Sequence, residues 1–186
     1  INGGGDNDTV FGGNGADVLS GDTGNDAMHG GSGNDTMRGG TGIDSMNGND
    51  GNDAMFGGAD IDTMNGGAGH DTLMGEAGND FFVDLVGTNV VDGGTGADVM
   101  FGGADNDLFI VAGPIDNDTI TGGEAGSDFD RVDLSSQSVG VTVGFSGNEA
   151  GGITSTGSEQ ITFSEIEAFT LTAQNDLFDA SGTTNG

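Results

Sequence analysis

Residues 30–47 read GGSGNDTMRGGTGIDSMN, which is one nine-residue phrase written twice. Each copy has glycine at positions one, two and four, aspartate at position six and methionine at position eight. Stepping by nine from Gly3 gives twelve such phrases up to Ile110 without an insertion. Position six is aspartate in eleven of them, and position eight is apolar in all twelve. A register held over this length is an internal repeat and predicts a repetitive fold.

The composition limits what such a repeat can be. The 186 residues carry 31 acidic side chains against two basic ones, Arg38 and Arg131, for a net charge of −29. This charge repels phosphate backbones and excludes nucleic acid as a partner. No apolar run approaches the roughly 20 residues that a spanning helix needs, so we expect no membrane insertion. Cysteine is absent, which leaves bound metal as the expected means of stabilising a thin core.

A nine-residue period matches neither a helix nor a heptad. Glycine at positions one, two and four favours a turn over positions one to five, because glycine accepts positive φ. Positions seven to nine favour a three-residue strand with only the eighth side chain pointing inward. Two phrases then make one coil, and stacked coils make two facing parallel sheets. At a spacing of about 4.8 Å, six coils form a rod about 29 Å long.

The sixth-position aspartates are predicted to form two rows, one along each edge of the rod. Neighbours in a row are 18 residues apart in sequence and one coil apart in space, with turn carbonyls between them. Two carboxylates and several carbonyls make an oxygen-only site, which suits Ca²⁺ better than Mg²⁺ or zinc. The row members are Asp8, Asp17, Asp26, Asp35, Asp44, Asp53, Asp62, Asp71, Asp80, Asp98 and Asp107, with Asn89 in the remaining phrase.

The interior predicted for this rod is thin. One buried apolar side chain per phrase does not offset the conformational entropy of nine ordered residues, several of them glycine. Stacked carboxylates add repulsion. We therefore expect the fold to depend on a ligand that binds only the folded chain.

The phrase G-G-x-G-x-D-x-U-x, where U is a large apolar residue, resembles the calcium-binding nonapeptide of repeats-in-toxin (RTX) proteins over residues 3–110. The resemblance implies an all-β fold, a right-handed parallel β-roll with two nonapeptides per coil. It also implies a ligand scheme. One turn supplies its aspartate and the carbonyls of positions two and four, and the turn 18 residues later supplies its aspartate and the carbonyls of positions one and three.

Applied to one site, the scheme joins Gly13, Gly15 and Asp17 to Gly30, Ser32 and Asp35. Asn89 is expected to weaken the sites that it shares with Asp71 and Asp107. About eight or more calcium ions are expected. The implied carbonyl donors are Gly4, Asp6, Gly13, Gly15, Gly21, Asp22, Thr23, Gly24, Gly30, Gly31, Ser32, Gly33, Gly39, Gly40, Thr41, Gly42, Gly48, Asn49, Asp50, Gly51, Gly57, Gly58, Ala59, Asp60, Gly66, Ala68, Gly75, Glu76, Ala77, Gly78, Gly93 and Thr95.

After Ile110 the register slips. Residues 113–121 restore it after a two-residue insertion, which makes Asp118 a further ligand and Asp116, at the old spacing, a weaker candidate. Residues 122–173 are predicted to continue or cap the roll with longer β-strands in 139–145 and 159–172. Residues 174–186 read as a resumed and truncated repeat with Asp176 at position six. The predicted divisions are thus 3–121, 122–173 and 174–186.

Other candidate sites have simpler explanations. His29 and His70 read as surface residues without a role, and the methionine column as core packing. Strand alternation accounts for Glu165 and Glu167. The sequence holds no catalytic motif such as G-x-S-x-G or H-E-x-x-H, so we predict that the chain is not an enzyme.

The predicted function is a calcium-binding structural module that folds on extracellular Ca²⁺ and belongs to a larger secreted bacterial protein. Export through type I secretion is what the RTX resemblance implies. One alternative is a module that binds carbohydrate or a surface through outward residues such as Phe11, Phe56 and Phe101, although these are predicted to alternate between faces. Another is a non-catalytic C-terminal part of a secreted protease, lipase or alginate-modifying enzyme.

Overall fold

The computed structural model describes residues 1–84, 86–123, 129–137, 142–145, 150–154, 160–172 and 176–179. Within these ranges every helical or strand element is a β-strand. No helix in the described ranges has the length and apolar character needed to cross a membrane.

Numbered in chain order, the described strands form two sheets. The nine-stranded sheet contains β1 (Asn2–Gly5), β3 (Val18–Thr23), β5 (Thr36–Thr41), β7 (Ala54–Ala59), β9 (Thr72–Ala77), β11 (Val90–Asp92), β13 (Leu108–Ile110), β15 (Arg131–Asp133) and β19 (Ala168–Thr170). The eleven-stranded sheet contains β2 (Thr9–Asn14), β4 (Ala27–Ser32), β6 (Ser45–Asp50), β8 (Thr63–Ala68), β10 (Phe81–Val83), β12 (Val99–Phe101), β14 (Thr119–Thr121), β16 (Thr142–Phe145), β17 (Ala150–Thr154), β18 (Gln160–Ser164) and β20 (Leu177–Asp179).

The chain alternates between the two sheets from β1 to β15, so that each pair of strands completes one coil. Strands in the same sheet pair in parallel one coil apart, and Met28 lies beside Met46 just as Met37 lies beside Met55. The result is a β-solenoid of about 7 turns. This confirms the predicted all-β parallel roll with two nonapeptides per coil.

The strands are longer than the sequence predicts in the first coils. From β2 to β9 each strand has six residues, because positions one to three of the following phrase stay in register with the neighbouring coil. Gly13 pairs with Gly31, for example, and Asn14 with Ser32. From β10 to β15 the strands have the three residues predicted. The shortening begins next to phrase 84–92, where the glycine pattern breaks.

The eighth-position side chains form the core, as predicted. They make two columns, one from each sheet, and the methionines lie inside them rather than at a metal site. Ile120 extends one column and Val132 the other, after the insertion. The buried residues of the twelve phrases are Val10, Leu19, Met28, Met37, Met46, Met55, Met64, Leu73, Phe82, Val91, Met100 and Phe109.

The C-terminal strands close the roll differently from the prediction. The stretch 159–172 is not one strand: it breaks at Glu165, whose φ is 58°, into β18 and β19, which belong to different sheets. Strand β17, which the sequence did not predict, pairs antiparallel with both β16 and β18. Of the predicted segment 139–145, residues 139–141 lie outside the described residues, as do 173–175 and 180–186.

Met46 provides a test of the core. Met46→Ala should lower the free energy of unfolding by about 2–5 kcal/mol, because it leaves a cavity in a tightly packed column of buried side chains. Met46→Leu, which conserves volume, should lower it by less than about 1.5 kcal/mol. The measurement is chemical unfolding in excess calcium, followed by circular dichroism. Ile43→Ala, at a side chain that is 54% exposed, is the control. Equal effects of the two Met46 variants would contradict the packing described.

Candidate metal centres

The sixth-position residues form two hydrogen-bonded ladders along the edges of the roll. The main-chain N–H of each donates to Oδ1 of its counterpart one coil on: Asp17 to Asp35 at 2.8 Å, and Asp35 to Asp53 at 2.7 Å. The same bond recurs along both rows, and Asn89 takes its place in one of them. One carboxylate oxygen of each residue therefore holds the register between coils.

The second carboxylate oxygen has no hydrogen-bond partner although it is buried. A buried oxygen left without a partner is costly, and a charged one more so. The repetition of this arrangement along both rows indicates that a ligand belongs there. The atoms are Oδ2 of Asp17, Asp26, Asp35, Asp44, Asp53, Asp62, Asp71 and Asp80.

The glycine at position one marks the space in front of these oxygens. A Cβ added to Gly30 would lie closer than 3.0 Å to both Oδ2 of Asp35 and the carbonyl oxygen of Gly48. Both oxygens therefore converge on a space that any side chain at position one would fill. The same holds at Gly21, Gly39, Gly48, Gly57 and Gly75.

Position-one carbonyls are thus brought to the row aspartates, as the family scheme requires. Carbonyls of positions two and four also face the next coil: the oxygen of Gly13 lies against Gly31, and that of Gly15 against Gly33. Equivalent contacts involve the oxygens of Asp6, Asp22, Gly24, Gly33, Gly40, Asn49, Gly51, Asp60, Glu76 and Gly78. For four other predicted donors, the residue 18 positions later is not glycine: Gly4, Gly31, Gly42 and Gly58.

Position-three carbonyls already accept hydrogen bonds from the preceding coil. The oxygen of Ser32 accepts the N–H of Gly15 at 2.6 Å, which leaves one lone pair for another ligand. The same bond is accepted by Thr23, Thr41, Asp50, Ala59, Ala68 and Thr95 from the position-four residue of the preceding coil. These seven predicted donors therefore serve inter-coil pairing first.

Burial makes the ionised rows unfavourable in the metal-free roll. It is the main cause that raises the pKa of the Asp62 carboxyl to about 7 and that of Asp53 to about 6. The donated N–H lowers each pKa, and the neighbouring carboxylates raise it again. The same main cause raises the pKa of Asp80 and Asp118 to about 7, that of Asp98 to about 6, and those of Asp44 and Asp71.

The donor chemistry fits calcium. Among the described residues no three His, Cys, Asp or Glu side chains converge on one point, so a site must draw on main-chain oxygens as well. Two carboxylates and several carbonyls form a hard, oxygen-only ligand set, which Ca²⁺ accepts and zinc does not prefer. Bound calcium would supply positive charge between successive carboxylates of each row.

Comparison with known families agrees with this geometry. The profile of the RTX calcium-binding nonapeptide repeat matches the chain four times, over residues 1–28, 29–64, 56–83 and 85–113. These matches span more than half of the chain. The protein belongs to the RTX calcium-binding repeat family. A search of curated proteins found no match.

RTX repeats bind Ca²⁺, and this chain therefore contains calcium-binding repeats.

Past the twelfth phrase, the ladder reaches Asp118 across the two-residue insertion, because Oδ1 of Asp118 accepts the N–H of Asp98 at 3.0 Å. Asp116 lies beside the row and accepts the N–H of Gly96 at 3.2 Å. Asp176 accepts a hydrogen bond from the hydroxyl of Thr172 at 2.7 Å.

The sequence analysis missed three further acidic residues. Asp130 accepts the N–H of Asp107 at 2.7 Å, and its own N–H donates to Glu167 at 2.6 Å, so both extend the ladder. The explanation of Glu167 by strand alternation alone was wrong. The feature that could have identified Glu167 is its position directly before a strand, β19, because position six of each phrase directly precedes a strand. Asp84, at position one of the irregular phrase, is also buried.

We predicted that His29 and His70 are surface residues without a role, but both make contacts between coils. His70 belongs to an outer ladder in which the position-five side chain accepts the N–H one coil on: its Nδ1 accepts the N–H of Thr88 at 2.9 Å. Asparagine plays this part in most coils, as Asn52 does toward His70 at 3.0 Å. The ring of His29 stacks on Phe11, with 5.1 Å between centroids.

The outward phenylalanines do not make one stripe. Phe11 and Phe101 lie in the eleven-stranded sheet and Phe56 in the other, as predicted. Each contacts a neighbouring coil: Phe56 lies under the Arg38 guanidinium at 4.2 Å, and Phe101 packs edge-on against Phe81. Contacts between coils therefore account for these rings.

Gly30→Ala tests the space at position one. The added methyl group would meet Oδ2 of Asp35 and the oxygen of Gly48, so we expect the variant to bind one calcium ion fewer. Equilibrium dialysis against calcium measures the number bound. The control is Gly5→Ala, since a Cβ there meets only the Thr23 hydroxyl, at 3.2 Å. Unchanged binding by Gly30→Ala would place the ion elsewhere.

Proposed function

We propose that this chain is a structural module of a larger secreted protein, and that it folds when it binds calcium outside the cell. The observation that carries the proposal is the double row of buried carboxylate oxygens without hydrogen-bond partners. Such rows are tolerable only when each pair of charges is neutralised. The family membership supports Ca²⁺ as the neutralising ion.

The coupling between binding and folding follows from where the ligands come from. Each proposed site draws on two coils, 18 residues apart, so no site exists in the unfolded chain. The free energy of binding therefore adds to the stability of the fold. Without calcium, a net charge of −29 and a core with only one buried apolar side chain per phrase favour the unfolded chain.

Eight sites have a regular aspartate on both coils. Five lie on the row from Asp8 to Asp98, and three on the row from Asp17 to Asp71. We propose these as the principal sites, with Asp118 extending the first row. The position-one to position-four carbonyls of their turns are the proposed main-chain ligands.

The proposed divisions are a calcium-binding roll in residues 3–121 and a continuation or cap in 122–173. Support comes from the strands: β18 and β19 continue both sheets, whereas β16 and β17 add an antiparallel pair. Residues 174–186 are proposed to resume the repeat, and β20 within them pairs with β16. The module itself is proposed to have no catalytic role.

Extracellular location is proposed because RTX repeats are typically found in extracellular secreted proteins. Calcium modules outside the cell are tuned to affinities of about 10⁻⁴–10⁻³ M. Such affinities leave the chain unfolded before export and fold it afterwards. Type I secretion of a bacterial parent protein is proposed from the membership of the RTX repeat family.

A calcium titration tests the proposal directly. The chain is expected to have little β-sheet circular dichroism in calcium-free buffer and to gain it cooperatively as calcium rises toward the millimolar range. Magnesium at equal concentration should be far less effective, because it demands tighter octahedral geometry. A chain that keeps its sheet signal and its melting temperature after calcium is removed with EDTA would refute coupled folding.

Asp35→Asn tests the ligand assignment. Asn89 already occupies an equivalent place and keeps both ladder bonds, so the variant should retain the fold while losing charge at two sites. We expect calcium affinity at those sites to fall roughly tenfold, as ligand charge sets affinity in such sites. Isothermal calorimetry measures it. Asp105→Asn removes an exposed carboxylate at φ 77° and is the matched control. Equal behaviour of the two variants would remove Asp35 from the ligand set.

A further inference from the structure

The phrase 84–92 departs from the repeat at two positions at once. Asp84 replaces the glycine of position one, and Asn89 replaces the aspartate of position six. Counted by position six alone, the row through Asp17 and Asp71 loses a carboxylate here. The structure shows how the carboxylate gained at position one is placed relative to the carboxylate lost at position six.

Asn89 carries no charge, and its side-chain amide makes two hydrogen bonds. Its Oδ1 accepts the N–H of Asp71 at 2.9 Å, and its Nδ2 donates to the carbonyl of Gly87 at 3.1 Å. In a regular coil the atom in the place of Nδ2 is the unpartnered carboxylate oxygen. The amide thus holds the register of the ladder but contributes no charge.

Asp84 supplies the missing carboxylate at the same place. Its side chain is completely buried, and neither of its oxygens has a hydrogen-bond partner. A Cβ added to Gly66 would lie closer than 3.0 Å to Oδ2 of both Asp84 and Asp71. In the regular coils the second atom there is the position-one carbonyl oxygen, as with Gly48 above Gly30. At Gly66 it is a side-chain oxygen, from Asp84, that approaches this closely.

We propose that Asp84 is a calcium ligand, and that with Asp71 it restores the site that Asn89 would otherwise weaken. This inference rests on the proposed function. Either way the site contains two carboxylates, so its charge equals that of a regular site. The expectation that Asn89 weakens binding then holds only on its other side, toward Asp107.

The electrostatics of Asp84 agree with this role. The pKa of its carboxyl is raised to about 8, mainly by burial and next by the charges of Asp71 and Asp107. The N–H groups of Gly67 and Val86 oppose this shift, although neither reaches hydrogen-bond geometry. Position one is glycine in the neighbouring phrases, so the repeat itself does not require a carboxylate beside Asp71.

Exchanging the two departures tests the proposal. Asp84→Gly should bind one calcium ion fewer per chain than the wild type, measured by equilibrium dialysis at saturating calcium. The double variant Asp84→Gly/Asn89→Asp rebuilds a regular phrase and should recover that ion. It should gain one more if the new carboxylate also completes the site toward Asp107. Asp105→Gly removes an exposed aspartate by the same substitution and should leave the number unchanged.

The outcomes separate this inference from the proposed function. If the wild type binds calcium and Asp84→Gly binds the same number with the same affinity, Asp84 is not a ligand. Failure of the double variant to recover the ion overturns the compensation. If the wild type binds no calcium, the proposed function itself fails. Asp84→Asn, which preserves shape, gives the same reading should the glycine variant not fold, as judged by circular dichroism.

Discussion

The whole roll depends on one carboxylate per nine residues, and each carboxylate has two separate tasks. Its Oδ1 accepts a main-chain N–H from the neighbouring coil and so fixes the register, as Asp35 does for Asp17. Its Oδ2 is left buried and without a partner. The interaction that aligns the coils therefore also concentrates negative charge between them. Alignment and the demand for a cation cannot be separated, because they reside in one side chain.

This constraint explains the residues around the aspartates. Position one is glycine in eleven of the twelve phrases, because a Cβ there would meet oxygens from two coils. Position eight varies among valine, leucine, methionine and phenylalanine because the columns require only an apolar side chain of sufficient size. The methionines, with adaptable side chains, pack where neighbours differ in shape. Calcium-binding geometry is thus specified tightly, and the core loosely.

Strict periodicity decided how much the sequence could predict. Wherever the nine-residue step held, the strand positions, the buried column and the aspartate rows followed from it, even across the insertion before Asp118. Strand length did not follow, because glycine at positions one and two suggests a turn, yet the backbone of positions one to three pairs with the next coil. Glu167 lay beyond the regular step, so its place in the ladder depended on a chain path that periodicity could not supply.

Asp84 illustrates the limit most clearly. Partners in this fold are separated by 18 residues, and an analysis that moves in that step compares Asp71 with Asn89 and finds a defect. The compensating carboxylate is only 13 residues from Asp71, at a position where the pattern expects no side chain at all. Its Oδ2 approaches Gly66 together with Oδ2 of Asp71. A departure from the consensus in such an array is therefore best judged by which oxygens reach each turn, rather than by which letter is missing.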